Sequence, residues 1–172
     1  MKKKIYNEDN IEDNEIDEVV TRVKAFIINS KNEILFANSG GGIQLIGGHV
    51  ENGEMLEDTV KREVSEETGI ILQSQDISLP FFEIKYYTKN YRKTGKNRIS
   101  NVVYYIVKTN EKPNSKNMNL TDEEIKNKFS YAYTPINEFE LLLKSCLKSD
   151  IEINVVIAKE LLIAFEELKR IL

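Results

Sequence analysis

The segment Gly47–Ile70 constrains this chain more than any other. Ile43 to Ile46 reads as a short strand, Gly47-Gly48 breaks it, and a helix-forming stretch runs from about Glu54 to Thr68. Gly69 follows, where a left-handed residue ends many helices. The helix carries Glu63, Glu66 and Glu67 at i, i+3 and i+4, so the three carboxylates share an arc of roughly 100° on one face. They sit in its last turns, where the helix dipole favours a cation, and Glu63 and Glu67 form a like-charge pair. Each effect costs a few tenths of a kcal/mol or more. Leu56, Val60 and Val64 make the apolar stripe, and Glu67 projects between them, where a carboxylate needs a cation or strong donors. Local rules broken without structural gain mark function. Two resolutions are open: a solvated face paired with Lys61 and Arg62, or a hard divalent cation such as Mg²⁺ or Mn²⁺ held by carboxylate oxygens.

The neighbouring residues favour the cation. Gly48, five residues, Glu54, seven residues, then Arg62-Glu63-Val64, one residue, Glu66-Glu67, one residue, Gly69-Ile70 resembles the signature of the Nudix hydrolase family at every fixed position. A chance match at a given start has a probability on the order of 10⁻⁹ from average residue usage. The resemblance implies an α/β fold, an α/β/α sandwich around a mixed sheet. It implies Glu63 and Glu67 as metal ligands, Glu66 as a further ligand or the general base, and the carbonyl of Gly47 or Gly48 as a backbone ligand. Mg²⁺ is the implied cofactor, with Mn²⁺ as a substitute. Glu54, Arg62 and Gly48 are implied as support, the guanidinium clamping the glycine loop to the helix through paired hydrogen bonds. Glu51 would stand near metal and substrate. His49 occupies a variable position, read as a loop residue, with a substrate contact as the alternative.

The implied reaction is Mg²⁺-dependent hydrolysis of a diphosphate bond, in a nucleoside diphosphate linked to another moiety or in a nucleoside triphosphate. The alternative is a non-catalytic nucleotide-sensing domain. An isopentenyl diphosphate isomerase fits poorly, because its cysteine precedes the signature and the one cysteine here is Cys146. With a single histidine, a carboxylate is the expected base. Glu66 is the first choice, and Glu123 and Glu124 are candidates from a loop able to close over the site. Their alternative role is the acidic first turn of a short helix.

Composition narrows the partners. Residues 1–18 hold three lysines against seven acids, leaving the other 154 residues balanced. A neutral body lacks the basic field that holds extended nucleic acid, so a small-molecule diphosphate is the expected partner. No membrane partner is expected, because no apolar stretch approaches a membrane span. No apolar segment follows Met1-Lys2-Lys3-Lys4, which points to the cytoplasm. Residues 1–18 read as a flexible acidic arm whose residues 4–6 touch a sheet edge, and 19–172 as one domain closed by a C-terminal helix. That helix shows Ile151, Val155, Ala158, Leu162 and Phe165 on one stripe, broadened by Leu161 and Leu168, suited to a core or a homodimer. Val19–Ile28 and Glu33–Ala37 read as one hairpin, Pro80–Thr88 and Ile99–Thr109 as another. Within the second hairpin's basic loop, Arg92 and Lys93 are candidate substrate contacts. Cys146 reads as a packed side chain.

Overall fold

The central strand explains the layering. In β2 (Glu18–Ile28), Val23, Ala25 and Ile27 are buried on one face and Phe26 and Ile28 on the other, so the strand needs cover on both sides. The computed structural model, which describes residues 1–172, supplies it. On one face lies α1 (Leu56–Thr68), whose Val60 and Val64 pack with Val23, Ala25 and Ile27. On the other lie α3 (Ile136–Cys146) and α4 (Glu152–Lys169), whose Phe139, Leu143, Leu161 and Phe165 meet Phe26 and Ile28. The result is the expected α/β/α sandwich.

The remaining strands are β1 (Lys2–Tyr6), β3 (Glu33–Ser39), β4 (Gly42–Gln44), β5 (Phe82–Thr88), β6 (Arg98–Lys108) and β7 (Ser130–Pro135). They join β2 in one sheet of order β1-β5-β6-β2-β3-β4, with β7 paired to β3. The sheet is mixed: β1–β5 and β2–β6 are parallel, and the other pairs antiparallel. β7 is an edge, which tolerates Pro135 as its last residue and the lead into α3.

One irregularity positions the site. β3 pairs with β2 only at Ile34 and Leu35, then turns away to β4. The chain leaving β4 enters that opening, with Ile46 opposite Ala25 and His49 opposite Arg22. Val23 N–H donates to the Gly48 carbonyl at 3.0 Å, and Val50 N–H to the Thr21 carbonyl at 3.0 Å. The glycine pair is thereby fixed as a strand beside β2, directly before α1.

One expectation needs correction. The buried stripe of α4 is Asn154, Ala158, Leu161, Ala164, Phe165 and Leu168, while Ile151 is 48% exposed and Val155 and Leu162 are only partly covered. Polar contacts set this rotation: Lys24 on β2 reaches Glu160 at 2.7 Å, Tyr104 OH donates to the same oxygen at 2.8 Å, and Asn154 lies against Gly42. Hydrophobic periodicity does not register such contacts. The helix therefore uses its buried stripe for the core. Residues 1–18 are largely exposed; residues 4–6 meet a sheet edge as expected, in β1 paired with β5, and the stretch makes further contacts, with Ile11 buried, Lys2 meeting Glu167 at 2.7 Å, and Asn97 N–H donating to Asp17 at 2.7 Å. No helix is long and apolar enough to cross a membrane. Cys146 is half-buried against the α3–α4 core, as a packed side chain would be.

Candidate active site

Gly69 ends α1 at φ +71°, and its N–H donates to the Ser65 carbonyl at 2.8 Å. A loop then closes on the helix end. Asn114 N–H donates to the Thr68 carbonyl and Asn119 N–H to the Glu66 carbonyl, both at 2.8 Å, satisfying carbonyls that a helix C-terminus leaves unpaired. This brings Asn119, Leu120 and Thr121, and behind them α2 (Asp122–Lys126), over the acidic face of α1.

The cleft between them, about 340 Å³, is lined by Glu51, Arg62, Glu63, Glu66, Glu67 and Glu124 together with Asn119, Leu120 and Thr121. Five carboxylates thus face one guanidinium. A larger cavity, about 820 Å³, lies at the other end of β2 among Asn29, Asp76 and Lys108 and gathers no such cluster.

Arg62 organises the support. Its Nε and Nη2 donate to the two Glu54 oxygens at 2.9 and 3.0 Å, a fork that pulls the loop before α1 onto the helix. Nη2 also reaches the His49 carbonyl at 2.9 Å, while Nη1 reaches Glu63 at 2.8 Å and Glu66 at 3.1 Å. The guanidinium holds the Glu54 carboxyl down at about 2.

Glu67 is the anomaly. It is 8% exposed, and its protein donor is the Gly47 N–H at a long 3.3 Å. Burial, reinforced by the charges of Glu63 and Glu124, pushes its carboxyl up to about 9. Burial also raises Glu63, against the pull of Arg62. Both shifts come from carboxylates crowded together away from water.

The donor set suits a hard divalent cation. Glu67 lacks a cationic partner, and the Gly47 carbonyl accepts no hydrogen bond, whereas that of Gly48 is used by Val23. As they stand, no three of these side chains ring a single point. Glu63 is turned toward Arg62, and Glu124 caps α2, accepting from Thr121 N–H and Oγ1 at 2.6 and 2.8 Å. Arg62 keeps Glu54, Glu66 and the His49 carbonyl if Glu63 turns away, so the rearrangement needed is small.

Some expected residues are elsewhere. Glu123 is exposed on α2 and does not line the cleft. His49 accepts from Arg22 Nε at 2.9 Å, and burial followed by the Arg22 charge lowers its pKa. It sits in the strand-like pairing opposite Arg22 rather than in a loop, and its side chain does not line the cleft. Arg92 and Lys93 lie at the tip of the β5–β6 hairpin, where Arg92 stacks on Tyr91. Neither lines the cleft, and neutralising both should leave KM for any hydrolysed substrate within about twofold. A tenfold rise in a steady-state assay would bring that loop back to the substrate. Sequence reading missed Asn119, Leu120 and Thr121. Of these only Thr121 carried a signal, the Thr-x-x-Glu capping box with Glu124.

The sequence profile of the NUDIX domain matches residues 18–149. The chain belongs to the Nudix family. Its fold is similar to the MutT protein of Methanosarcina mazei Go1, with TM-score 0.54 and 22% identity over 88% of this chain and 94% of that one. It is also similar to an Ap4A hydrolase of C. elegans, with TM-score 0.52 and 14% identity over 88% and 96%. A mutator MutT protein of Bacillus halodurans gives TM-score 0.51 and 20% identity over 72% of each chain. No curated protein matches the sequence. As a Nudix enzyme the protein is a pyrophosphohydrolase.

Proposed function

We propose that the protein hydrolyses a diphosphate bond in a nucleotide, a nucleoside triphosphate or a nucleoside diphosphate linked to another group, with Mg²⁺ held by Glu63, Glu67 and the Gly47 carbonyl. The observation that carries this reading is Glu67, a buried carboxylate with one weak donor in a cleft of five carboxylates. A divalent cation bound there offsets the substrate's negative charge and acidifies a water. Without it, a polyphosphate would be repelled from the cleft.

The chain's own groups do the rest. Arg62, through Glu54 and the His49 carbonyl, holds the glycine strand against α1, which keeps Gly47 beside the Glu67 carboxylate. Glu66 and Glu124 line the cleft from α1 and from the closing loop, and each can take the proton of an attacking water. Glu66 is the proposed base and Glu124 the second candidate. Glu66→Gln should lower kcat about 10²- to 10⁴-fold, the usual scale for a positioned base. If Glu124→Gln shows this behaviour and Glu66→Gln does not, the roles exchange.

The activity test is a panel of nucleoside triphosphates, dinucleoside polyphosphates, nucleotide sugars and ADP-ribose, with and without Mg²⁺ and with phosphatase-coupled detection. Metal-dependent release from at least one is expected. Metal binding without turnover of any would instead make the protein a nucleotide sensor.

A further inference from the structure

The segment Ile46–Val50 stands between two groups of opposite charge. One of its edges pairs with β2, and the other opens on the acidic cleft, where Gly47 N–H meets Glu67 and the His49 carbonyl meets Arg62. α1 packs on the face of β2 that carries Val23, so the side chain of Arg22, the residue before it, points to the opposite face. His49 stands across from Arg22 on that same face. There Arg22 Nε donates to His49 Nε2 at 2.9 Å, while both of its Nη groups bond to nothing and no acid pairs with it. Because Nε2 accepts, the neutral imidazole carries its hydrogen on Nδ1, a further donor. Arg98 lies opposite Glu18 at the start of β6, again on this face, and its charge and that of Arg22 both act on the imidazole. Its guanidinium is 4.1 Å from the centre of the Tyr91 ring and its side chain is only 13% exposed. Its Nε is nevertheless buried without a hydrogen bond, the Glu18 carboxylate at 3.4 Å being poorly aligned. A buried charged donor in that state costs free energy until an acceptor arrives.

We propose that Arg22, His49 and Arg98 bind a phosphate of the substrate lying beyond the diphosphate at the carboxylates, which makes the substrate a nucleotide with three or more phosphates rather than ADP-ribose or a nucleotide sugar. The inference rests on the hydrolase reading above and adds the substrate class to it. A further phosphate brings more negative charge beside five carboxylates and needs donors of its own. Other cations nearby are committed: Arg62 to Glu54, Glu63, Glu66 and the His49 carbonyl, Lys24 to Glu160, and Lys61 to Glu57 and Ser74. Arg22 and Arg98 are not. Planar guanidinium groups match the oxygens of a phosphate, and two of them beside an imidazole suit an anion better than the hydroxyls of a sugar. His49 is two residues from Gly47, about 7 Å along an extended strand, a span that a polyphosphate chain crosses.

The test compares Arg22→Gln and Arg98→Gln with wild type in steady-state kinetics on ATP, diadenosine tetraphosphate and ADP-ribose, which share one base, each with Mg²⁺. Wild type should show a higher kcat/KM for ATP or diadenosine tetraphosphate than for ADP-ribose. In each variant KM for the better of those two should rise about tenfold or more, the scale of a lost hydrogen bond between charged groups, with kcat within about threefold. Any KM for ADP-ribose should move less than about twofold. Arg22 is exposed, so its variant folds even if loss of Arg98 disturbs Tyr91. Neutralising Arg92 and Lys93 together removes more charge from the hairpin tip and should leave these KM values unchanged, which separates contact from a long-range field. Equal rises for ADP-ribose, no rise in Arg22→Gln, the same rise in the hairpin-tip variant, or a wild-type preference for ADP-ribose would overturn the assignment. Calorimetric titration with the α,β-methylene analogues of ATP and ADP and Mg²⁺ keeps the two readings apart. If wild type hydrolyses nothing yet binds the triphosphate at least about fivefold more tightly than the diphosphate, and Arg22→Gln erases that difference, the hydrolase reading fails and the phosphate site stands. If hydrolysis is intact and Arg22→Gln leaves the difference unchanged, the phosphate site fails alone. If wild type shows no such difference, the site falls whatever the activity.

Discussion

Glu67→Gln should reduce turnover by about 10²- to 10⁴-fold while leaving the metal-free protein as stable as wild type or more so. Glutamine keeps the size and can still accept from the Gly47 N–H, but it carries no charge for a cation. Stability should respond to pH in a defined direction. The folded Glu67 carboxyl titrates near 9, above the ordinary glutamate value of 4.5. Between these limits the folded state holds a proton that the unfolded state has lost, so rising pH stabilises the unfolded chain and lowers folding stability. Metal-free wild type should therefore lose melting temperature relative to Glu67→Gln as pH climbs from about 5 to 8. Parallel pH–melting curves for the two proteins would show that Glu67 is ionised without metal.

The adjacent glycines should fail in different ways. A β-carbon on Gly48 would first meet the Glu63 carboxylate, the movable end of a long side chain. Gly48→Ala should fold with a near-normal melting temperature and lose about 10²-fold in kcat, because displacement of a positioned group by about 1 Å carries that cost. At Gly47, φ is +143° and a β-carbon would strike the backbone carbonyl of Val23. Backbone cannot rotate aside, so Gly47→Ala should destabilise the fold by about 1–3 kcal/mol or more, apart from any effect on catalysis. Melting curves and kinetics on both variants separate the two. A Gly48→Ala enzyme of full activity would mean that Glu63 can leave its place without consequence.

Legibility in the sequence followed the range of the forces involved. The α1 face and the Gly69 stop depend on residues within two dozen positions of one another, and spacing alone suggested them, while the Arg62–Glu54 fork came with the family resemblance. The strand over Val19–Ile28 was likewise legible from its own residues, although its cover on both faces was not. Contacts between distant segments were opaque. Nothing local says that Asn119 N–H will cap the Glu66 carbonyl, the bond that brings Leu120 and Glu124 to the carboxylates and leaves Glu123 outside. The rotation of α4 depends on Lys24 finding Glu160, 136 positions away, so a polar contact displaced the stripe that apolar periodicity favoured. The contact of residues 4–6 with a sheet edge was legible, but that the edge is β5, some 80 positions on, was not.

The most direct test of the central claim, that the α1 carboxylates form a cation site rather than a solvated face, is the shift in melting temperature caused by Mg²⁺ in wild type and in Glu67→Gln. An ion that binds only the folded site stabilises by mass action, about 2.7 kcal/mol at a hundredfold excess over Kd, or roughly 5–10 °C for a chain of this size. Wild type should show that rise, and the variant a small fraction of it at the same Mg²⁺ concentration. A variant that is strongly destabilised without metal yet gains the full increment would make Glu67 a structural partner and contradict the assignment.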